Sequence, residues 1–581
     1  MSAVSLSSPA TALGTQGASI KASTASSTAP ATASSGGGAA VATATRFTAS
    51  VPPAIAPSAT GDTRFLHVTQ YPASLEAVDV TYEALANLQT RNGQMQVWEQ
   101  APTTAVDQII GRNASATSEK ARFAGLGSAL LEQVASTGAS YRQTIVNVGA
   151  TYSPDKIQGK ATDALWAIQS RPSASAELTI KTQSGATVRI SIADQREPIG
   201  TGSGIAVQID VEGDLTPQEK QALQSLAKGF DQAIEGLTGE PPTLDLEGLS
   251  KFDTQLLGKV EFKTSLYGVD DNGSRIQKLG VRYTADASNR EIEIKTPQGT
   301  VAMKTDLRQP ALWGTADQKA YAVQQYLGRI DKAAQRGNAD AELVALFKSS
   351  FTAMNGSYGS AAGASGSRTT TGLGPTQSVD LNRDAGAFSE EDQSLLTGLA
   401  DFNASITATR RASNPRRLKE VDSFEYTLNQ STQVSGTSPG NRAVTQTQTQ
   451  TARLLASFHQ SLDGPSAKLK LTSDSATQNY YYKKVEDSSS TQVELAYEKD
   501  EPVRALVTQT ASQSLQSLKV ENNRITENTA DPARQQSKQT DLLPLLKELK
   551  RQQEANALAD DEKQKTLREW NGMVLGDWGT T

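Results

Sequence analysis

Strict alternation of apolar and polar residues marks the middle of the chain as β-sheet. Apolar side chains recur at every second position over residues 178–180, 188–192 and 205–211, which is the period of a strand with one buried face. Ser184 and Gly185 separate the first two runs, where a tight hairpin needs a residue that tolerates a positive φ. The pattern predicts an antiparallel meander, and similar runs predict strands at residues 260–262, 281–283, 292–294, 424–428, 467–471, 479–485 and 492–497.

Apolar residues spaced three and four positions apart predict amphipathic helices on either side of these strands. The best-marked helix begins at Thr216, with Pro217 in its first turn and Glu219 placed to complete a capping box. Its apolar stripe continues to Leu237. The same spacing predicts helices over residues 75–88, 118–135, 244–257, 321–330, 343–354, 389–402 and 542–570.

Shifts in composition predict how the chain divides into folded and flexible parts. Residues 1–61 consist largely of Ala, Ser, Thr, Gly and Pro, so they offer too little apolar surface to offset the entropy of folding. We therefore expect the fold class to be α+β, with antiparallel β-meanders and amphipathic helices in two folded units. The predicted order is a disordered arm (1–61), a mainly helical segment (62–170), an α+β domain (171–355), a flexible Gly/Ser-rich linker (356–380), a second α+β unit (381–530), and a C-terminal helix with a Trp-containing tail (531–581).

Charge and cysteine content exclude several classes of function. The 581 residues include 56 Lys and Arg against 62 Asp and Glu, a formal net charge of −6, which is opposite in sign to the usual nucleic-acid footprint. Without cysteine there is no disulfide, no thiolate metal site and no cysteine nucleophile. We expect no nucleic acid among the partners.

The distribution of apolar residues also bears on location. The chain contains no run of about eighteen consecutive apolar residues, the length that a membrane-spanning helix needs, so we expect no membrane span. Its first residues lack a basic stretch followed by an apolar run, the pattern of a secretory signal peptide. The expected location is therefore cytoplasmic, or outside the cell by a non-Sec export route.

Local motifs predict no cofactor and no metal site. The glycine-rich tract at 200–204 is followed by a strand pattern rather than the helix that a phosphate-binding loop requires. Residues 270–273 fit a hairpin turn better than a calcium loop. His67 and His459 are the only histidines and are far apart in sequence. We interpret His459 as a structural histidine on a helical stretch, and the catalytic residues remain unknown.

Two groups of residues are candidates for partner binding. Arg410, Arg411, Arg416 and Arg417 form one compact basic cluster, which either clamps an acidic partner or belongs to a solvated loop. Trp570 and Trp578 lie in an apolar C-terminal segment that either docks onto the body of the protein or anchors an unknown protein partner.

The hairpin over residues 178–192 and the acidic capped helix over 213–237 together resemble proteobacterial proteins that have no assigned function. The resemblance covers less than a fifth of the chain, and it implies a bacterial source without implying catalytic residues. Our leading hypothesis is a non-enzymatic binding or structural protein, because folded modules are strung on flexible segments and titratable residues of catalytic type are sparse in this chain. The alternatives are a substrate or effector of a specialised secretion system, and a hydrolase whose acidic residues assemble only in space.

Overall fold

The computed structural model describes residues 88–91, 94–149, 167–168, 170–196, 203–356, 358, 389–436, 444–499, 501–555 and 559–576. All of them belong to one compact unit, Asp62–Thr581. The predicted arm, all but the last residue of the predicted helix at 75–88, and most of the predicted linker lie outside the described residues.

An antiparallel sheet of sixteen strands organises the described part of the chain. Its spatial order is β1-β2-β3-β6-β5-β4-β7, followed by β8 to β16 in sequence order. The strands are β1 (Leu88–Arg91), β2 (Gln94–Trp98), β3 (Tyr141–Gly149), β4 (Ala174–Thr182), β5 (Thr187–Gln195), β6 (Ser203–Glu212), β7 (Leu257–Val269), β8 (Arg275–Asp286), β9 (Asn289–Thr296), β10 (Gly299–Asp306), β11 (Asp401–Ala408), β12 (Ser423–Ser435), β13 (Val444–Ser461), β14 (Tyr480–Glu498), β15 (Glu501–Glu521) and β16 (Arg524–Asp541).

Helices pack on the sheet and supply the second layer of an α+β fold, which confirms the predicted class. The helices are α1 (Ala105–Asn113), α2 (Glu119–Phe123), α3 (Leu126–Thr137), α4 (Pro217–Ser225), α5 (Ala227–Leu237), α6 (Glu247–Ser250), α7 (Ala316–Gly337), α8 (Ala341–Gly356), α9 (Glu390–Ser394), α10 (Leu543–Glu554) and α11 (Asp560–Leu575), with short 3₁₀ turns at Pro310–Leu312 and Ser475–Thr477.

Local sequence signals placed several elements correctly. The turn between β4 and β5 has Gly185 at φ 100°, and the strands on both sides alternate as predicted. Thr216 and Glu219 form the predicted capping box at the start of α4, and α7 and α8 contain the two predicted apolar stripes. These features depend on residues close together in sequence, which is why the pattern revealed them.

Other predicted elements are wrong in extent or type. The helix expected over 118–135 is two helices, α2 and α3, because Gly125 between them adopts φ 72°. Only Glu247–Ser250 is helical within 244–257, and the helix expected over 389–402 ends at Ser394. The strand expected at 467–471 is a loop, and the long helix expected over 542–570 is divided into α10 and α11.

The sheet continues across the position of the predicted linker. Strand β10 pairs with β11 from Gly299 opposite Ala408 to Asp306 opposite Asp401. The strands that precede and follow segment 356–380 in the sequence, β10 and β11, are therefore direct neighbours in one sheet. In the same way, β16 extends past residue 530 and pairs along β15.

A large apolar core fills the space between the helices and one face of the sheet. At one point in it the helix backbones meet: an added Cβ on Gly229 of α5 would lie 2.5 Å from the carbonyl carbon of Gly248 in α6. Such a distance is well inside van der Waals contact. The close approach therefore requires glycine at this position.

We expect Gly229→Ala to destabilise the protein by about 1–3 kcal/mol, because the methyl group must push α5 and α6 apart. Gly328→Ala is the matched control, since Gly328 is exposed on α7 and an added Cβ there has no neighbour within 4 Å. That control is expected to be neutral or to stabilise by up to about 1 kcal/mol through helix propensity. Urea unfolding of both variants measures the difference, and equal midpoints would contradict the argument.

Candidate partner-binding surface

The four predicted arginines lie in the connection between β11 and β12, residues 409–422. In an antiparallel sheet, alternate connections meet at the same end. The β13–β14 connection, residues 462–479, and the β15–β16 turn at Asn522 and Asn523 are therefore at this end as well. We call residues 409–422, 462–479 and 521–524 together the arginine end.

Two of the arginines tie the three connections to one another. The Arg416 Nη1 donates to the carbonyl oxygen of Ser473 at 2.6 Å, and the Arg417 Nη2 donates to that of Asn523 at 2.8 Å. The Arg417 Nη1 also donates to Glu420 Oε1 at 3.3 Å. These contacts connect the three loops to one another through hydrogen bonds.

The buried Asn414 attaches the 409–422 loop to neighbouring residues through hydrogen bonds. Asn414 is fully buried, and its Nδ2 donates to Gln478 Oε1 at 2.8 Å and to the Tyr480 hydroxyl at 2.9 Å. Its Oδ1 accepts from the Arg416 backbone N–H at 3.0 Å. The 409–422 loop is thereby attached to the start of β14.

His459 lies between two carboxylates of the same loop. Its Nδ1 is 2.7 Å from Asp422 Oδ1 and its Nε2 is 3.1 Å from Glu420 Oε2. The Tyr480 hydroxyl donates to the same Glu420 oxygen at 2.6 Å. His459 is on β13, so the prediction of a helical stretch around it is wrong, but its side chain is only 3% exposed.

The network favours the charged forms of His459, Glu420 and Asp422. Burial alone would lower the pKa of His459, but its hydrogen bonds with Asp422 and Glu420 outweigh burial and raise that pKa above its ordinary value. Burial would raise the pKa of Glu420 and Asp422, yet hydrogen bonds from His459 bring both below their ordinary range. With both ring nitrogens occupied, the imidazolium positions the loop.

The accessible face of the arginine end is strongly positive. Its exposed charged residues are the cations Arg410, Arg411, Arg416, Lys419, Lys468, Lys470 and Arg524 and the carboxylates Asp463 and Asp474, and the partly exposed Glu521 pairs with Lys519. Leu418 stands among the cations with 67% of its surface exposed. The surface therefore offers charge for an acidic group together with one apolar contact.

The predicted Trp570 is not part of this surface. Trp570 is 3% exposed in α11 and packs with Val493 and Leu495 of β14 and Val507 of β15. Little of its side chain is available to a partner. Trp578 lies outside the described residues.

The four arginines are close together in sequence and could be recognised there, whereas the residues that organise them are not. His459 is 37 positions from Asp422 and 39 from Glu420, and no local spacing links them. Lys468 and Lys470 lie in the loop that was predicted to be a strand. The hairpin pairing of β12 with β13 and of β13 with β14 brings these residues together.

Over the described ranges, no group of three or more His, Asp or Glu side chains is arranged to hold a metal ion. In the same part of the chain, no helix is both long and apolar enough to cross a membrane. No protein-family model, curated protein or solved structure matches the chain.

Proposed function

We propose that this chain is a non-enzymatic binding protein that captures an acidic segment of a partner protein on the arginine end. The observation that carries the proposal is the excess of exposed cations over exposed carboxylates on three connections that Arg416 and Arg417 tie together. A surface ordered in advance loses less entropy on binding. It also steers an oppositely charged partner during encounter.

Leu418 favours a protein segment over a nucleic acid as the occupant. An exposed leucine among cations fits an acidic segment that carries an apolar side chain, whereas phosphate backbones are bound by charge and hydrogen bonds. The net charge of −6 over the whole chain also opposes a long polyanion. The partner that fits best is short, acidic and partly apolar.

Reversing two exposed charges tests the proposal. We expect Arg410→Glu combined with Arg411→Glu to weaken binding of a fluorescent acidic peptide with one central leucine by about tenfold, equivalent to about 1.4 kcal/mol. Fluorescence anisotropy at several salt concentrations gives the affinity. The weakening should shrink as salt screens the charges.

The control is Arg534→Glu combined with Lys538→Glu, two exposed cations on β16. Arg534 is ten residues along β16 from Arg524, the first residue of the strand, which is on the order of 30 Å at about 3.3 Å per residue. This pair should change the affinity less than twofold. Equal weakening by both pairs, or tighter binding of a single-stranded oligonucleotide than of the peptide, would overturn the proposal.

A further inference from the structure

A second candidate site lies away from the arginine end, between helix α7 and the sheet. A cavity of about 490 Å³ is bounded by α7 on one side and by strands β12 to β15 on the other. Its volume is within the range of about 300–1,000 Å³ that small-molecule sites occupy. The apolar part of its wall comes from Ala333, Tyr426, Ala452, Leu454 and Ala511.

Cationic side chains dominate the polar part of the cavity wall. Arg329, Lys332 and Arg336 extend from α7 and Arg453 from β13, whereas Asp487 is the one carboxylate among the lining residues. Asp487 pairs with Arg336, whose Nη2 donates to Asp487 Oδ1 at 3.1 Å. Arg453 in turn donates to Glu486 Oε1 at 3.3 Å. With two of the four cations paired in this way, cationic side chains around the cavity still outnumber the carboxylates.

The end of α11 holds one of these cations in place. The Arg329 Nη2 donates to the carbonyl oxygen of Leu575 at 2.7 Å and to that of Gly576 at 3.2 Å. Neutral carbonyl groups position the guanidinium without cancelling its charge. The arrangement keeps a fixed positive group at the side of the cavity.

The buried side-chain amide of Gln450 lines a small recess beside the cavity. Gln450 lines the recess together with Arg329, Ala452 and Ser489, the three residues that both spaces share. Gln450 is only 1% exposed, yet neither its Nε2 nor its Oε1 has a hydrogen-bond partner in the protein. A buried polar group left in this state costs about 1–3 kcal/mol. The recess is about 10 Å³, which is room for about one water-sized group that both donates and accepts.

We propose that this cavity binds a small organic anion that has an apolar body and a further hydrogen-bonding group. The anionic group lies beside Arg329 of α7, because a guanidinium pairs well with carboxylate and similar oxyanions. The apolar body packs against Ala452 and Leu454. The hydrogen-bonding group reaches Gln450.

Two matched probes test the proposal on the full-length chain. The first is 8-anilinonaphthalene-1-sulfonate, an organic anion with a compact aromatic body. The second is N-phenyl-1-naphthylamine, which has the same body without the sulfonate. Fluorescence titration should give saturable binding of the anion at one site and at least tenfold weaker binding of the neutral compound. Equal binding of the two probes would refute the requirement for an anion.

Neighbouring residues of one strand supply the matched variants. Ala452 faces the cavity, whereas the side chain of Thr451 points to the opposite face of the sheet. Ala452→Phe should weaken binding of the sulfonate at least tenfold, and Thr451→Phe should change it less than twofold. Equal effects of the two substitutions would place the probe elsewhere and refute the site.

Two further variants distinguish obstruction of the cavity from a general loss of folding. Ala333→Phe obstructs the same space from the helix side and should reproduce the effect of Ala452→Phe. Gln450→Leu removes the unpartnered amide, so the unbound protein should be at least as resistant to urea as the wild type. Retained binding in a folded Ala333→Phe variant, or a marked loss of urea resistance in Gln450→Leu, would contradict the proposal.

Discussion

Replacing Arg122 by methionine is expected to destabilise the protein by about 3–5 kcal/mol, because the substitution leaves the buried Asp194 carboxylate with only the more distant Arg196, whose Nε is 3.8 Å from Asp194 Oδ2. The side chains of Arg122 and Asp194 are 2% and 1% exposed, and Arg122 Nε lies 2.5 Å from Asp194 Oδ1. Arg122 also donates to the carbonyl oxygens of Ala114 at 2.6 Å and Gly204 at 3.2 Å. The substitution therefore disrupts contacts between α2, the segment after α1, and strands β5 and β6.

The pH dependence of this loss identifies its cause. Burial raises the pKa of Asp194, and Arg122 opposes that rise. Without Arg122 the folded state should take up a proton on Asp194 more readily than the unfolded chain does. The cost of the substitution should therefore diminish as the pH falls, because a neutral carboxyl is tolerated better in the core.

Urea unfolding of Arg122→Met at neutral and mildly acidic pH provides the measurement. Lys120→Met is the control, since Lys120 pairs with Glu235 at 2.8 Å while both side chains are about half exposed. An exposed pair contributes about 0–1 kcal/mol. A comparable loss of unfolding free energy in both variants would show that burial does not increase the contribution of the Arg122–Asp194 pair to stability.

Replacing His459 by glutamine is expected to cost about 3 kcal/mol near pH 6, because Glu420 and Asp422 lose the cation between them. The raised pKa of His459 means that the contribution of the imidazolium is complete below the unfolded pKa of about 6.5 and is lost as the pH rises through the folded value. The lowered pKa of the two carboxyls has the opposite effect. Their contribution is present above about pH 4 and is lost as the pH falls through their folded values.

The free energy of unfolding of the wild type and of His459→Gln should therefore converge at alkaline pH. Urea titrations at about pH 6, 7.5 and 9 measure this convergence. The chain has one other histidine, so His67→Gln is the control for titration of histidine elsewhere. A difference in unfolding free energy between wild type and His459→Gln that stays constant with pH would be evidence against the network. The same pH-dependent difference in His67→Gln would also be evidence against it.

Sequence patterning identified several strands in which one face is apolar and the other polar, but it missed β10 and β11, which have the same alternation. It succeeded for β4, β5 and β6 and for the Phe424 and Tyr426 positions of β12. It failed for β13, whose first half alternates Thr and Gln, and for β16, whose described side chains are almost all exposed. Neither strand has an apolar periodicity to detect, and both are held by backbone pairing with neighbours that precede them in the chain.

Local chemistry therefore determined the α+β class, the capping box at Thr216, the turn at Gly185 and the basic cluster at Arg410 to Arg417. The tertiary structure alone decided which distant residues meet. His459 reaches Glu420 and Asp422 only because β12 and β13 pair in one register, and Gln450 meets Arg329 at the recess only because α7 crosses that part of the sheet. Sequence spacing encodes contacts within a turn of helix or a hairpin, whereas contacts between elements depend on strand register and helix packing, which no local pattern specifies.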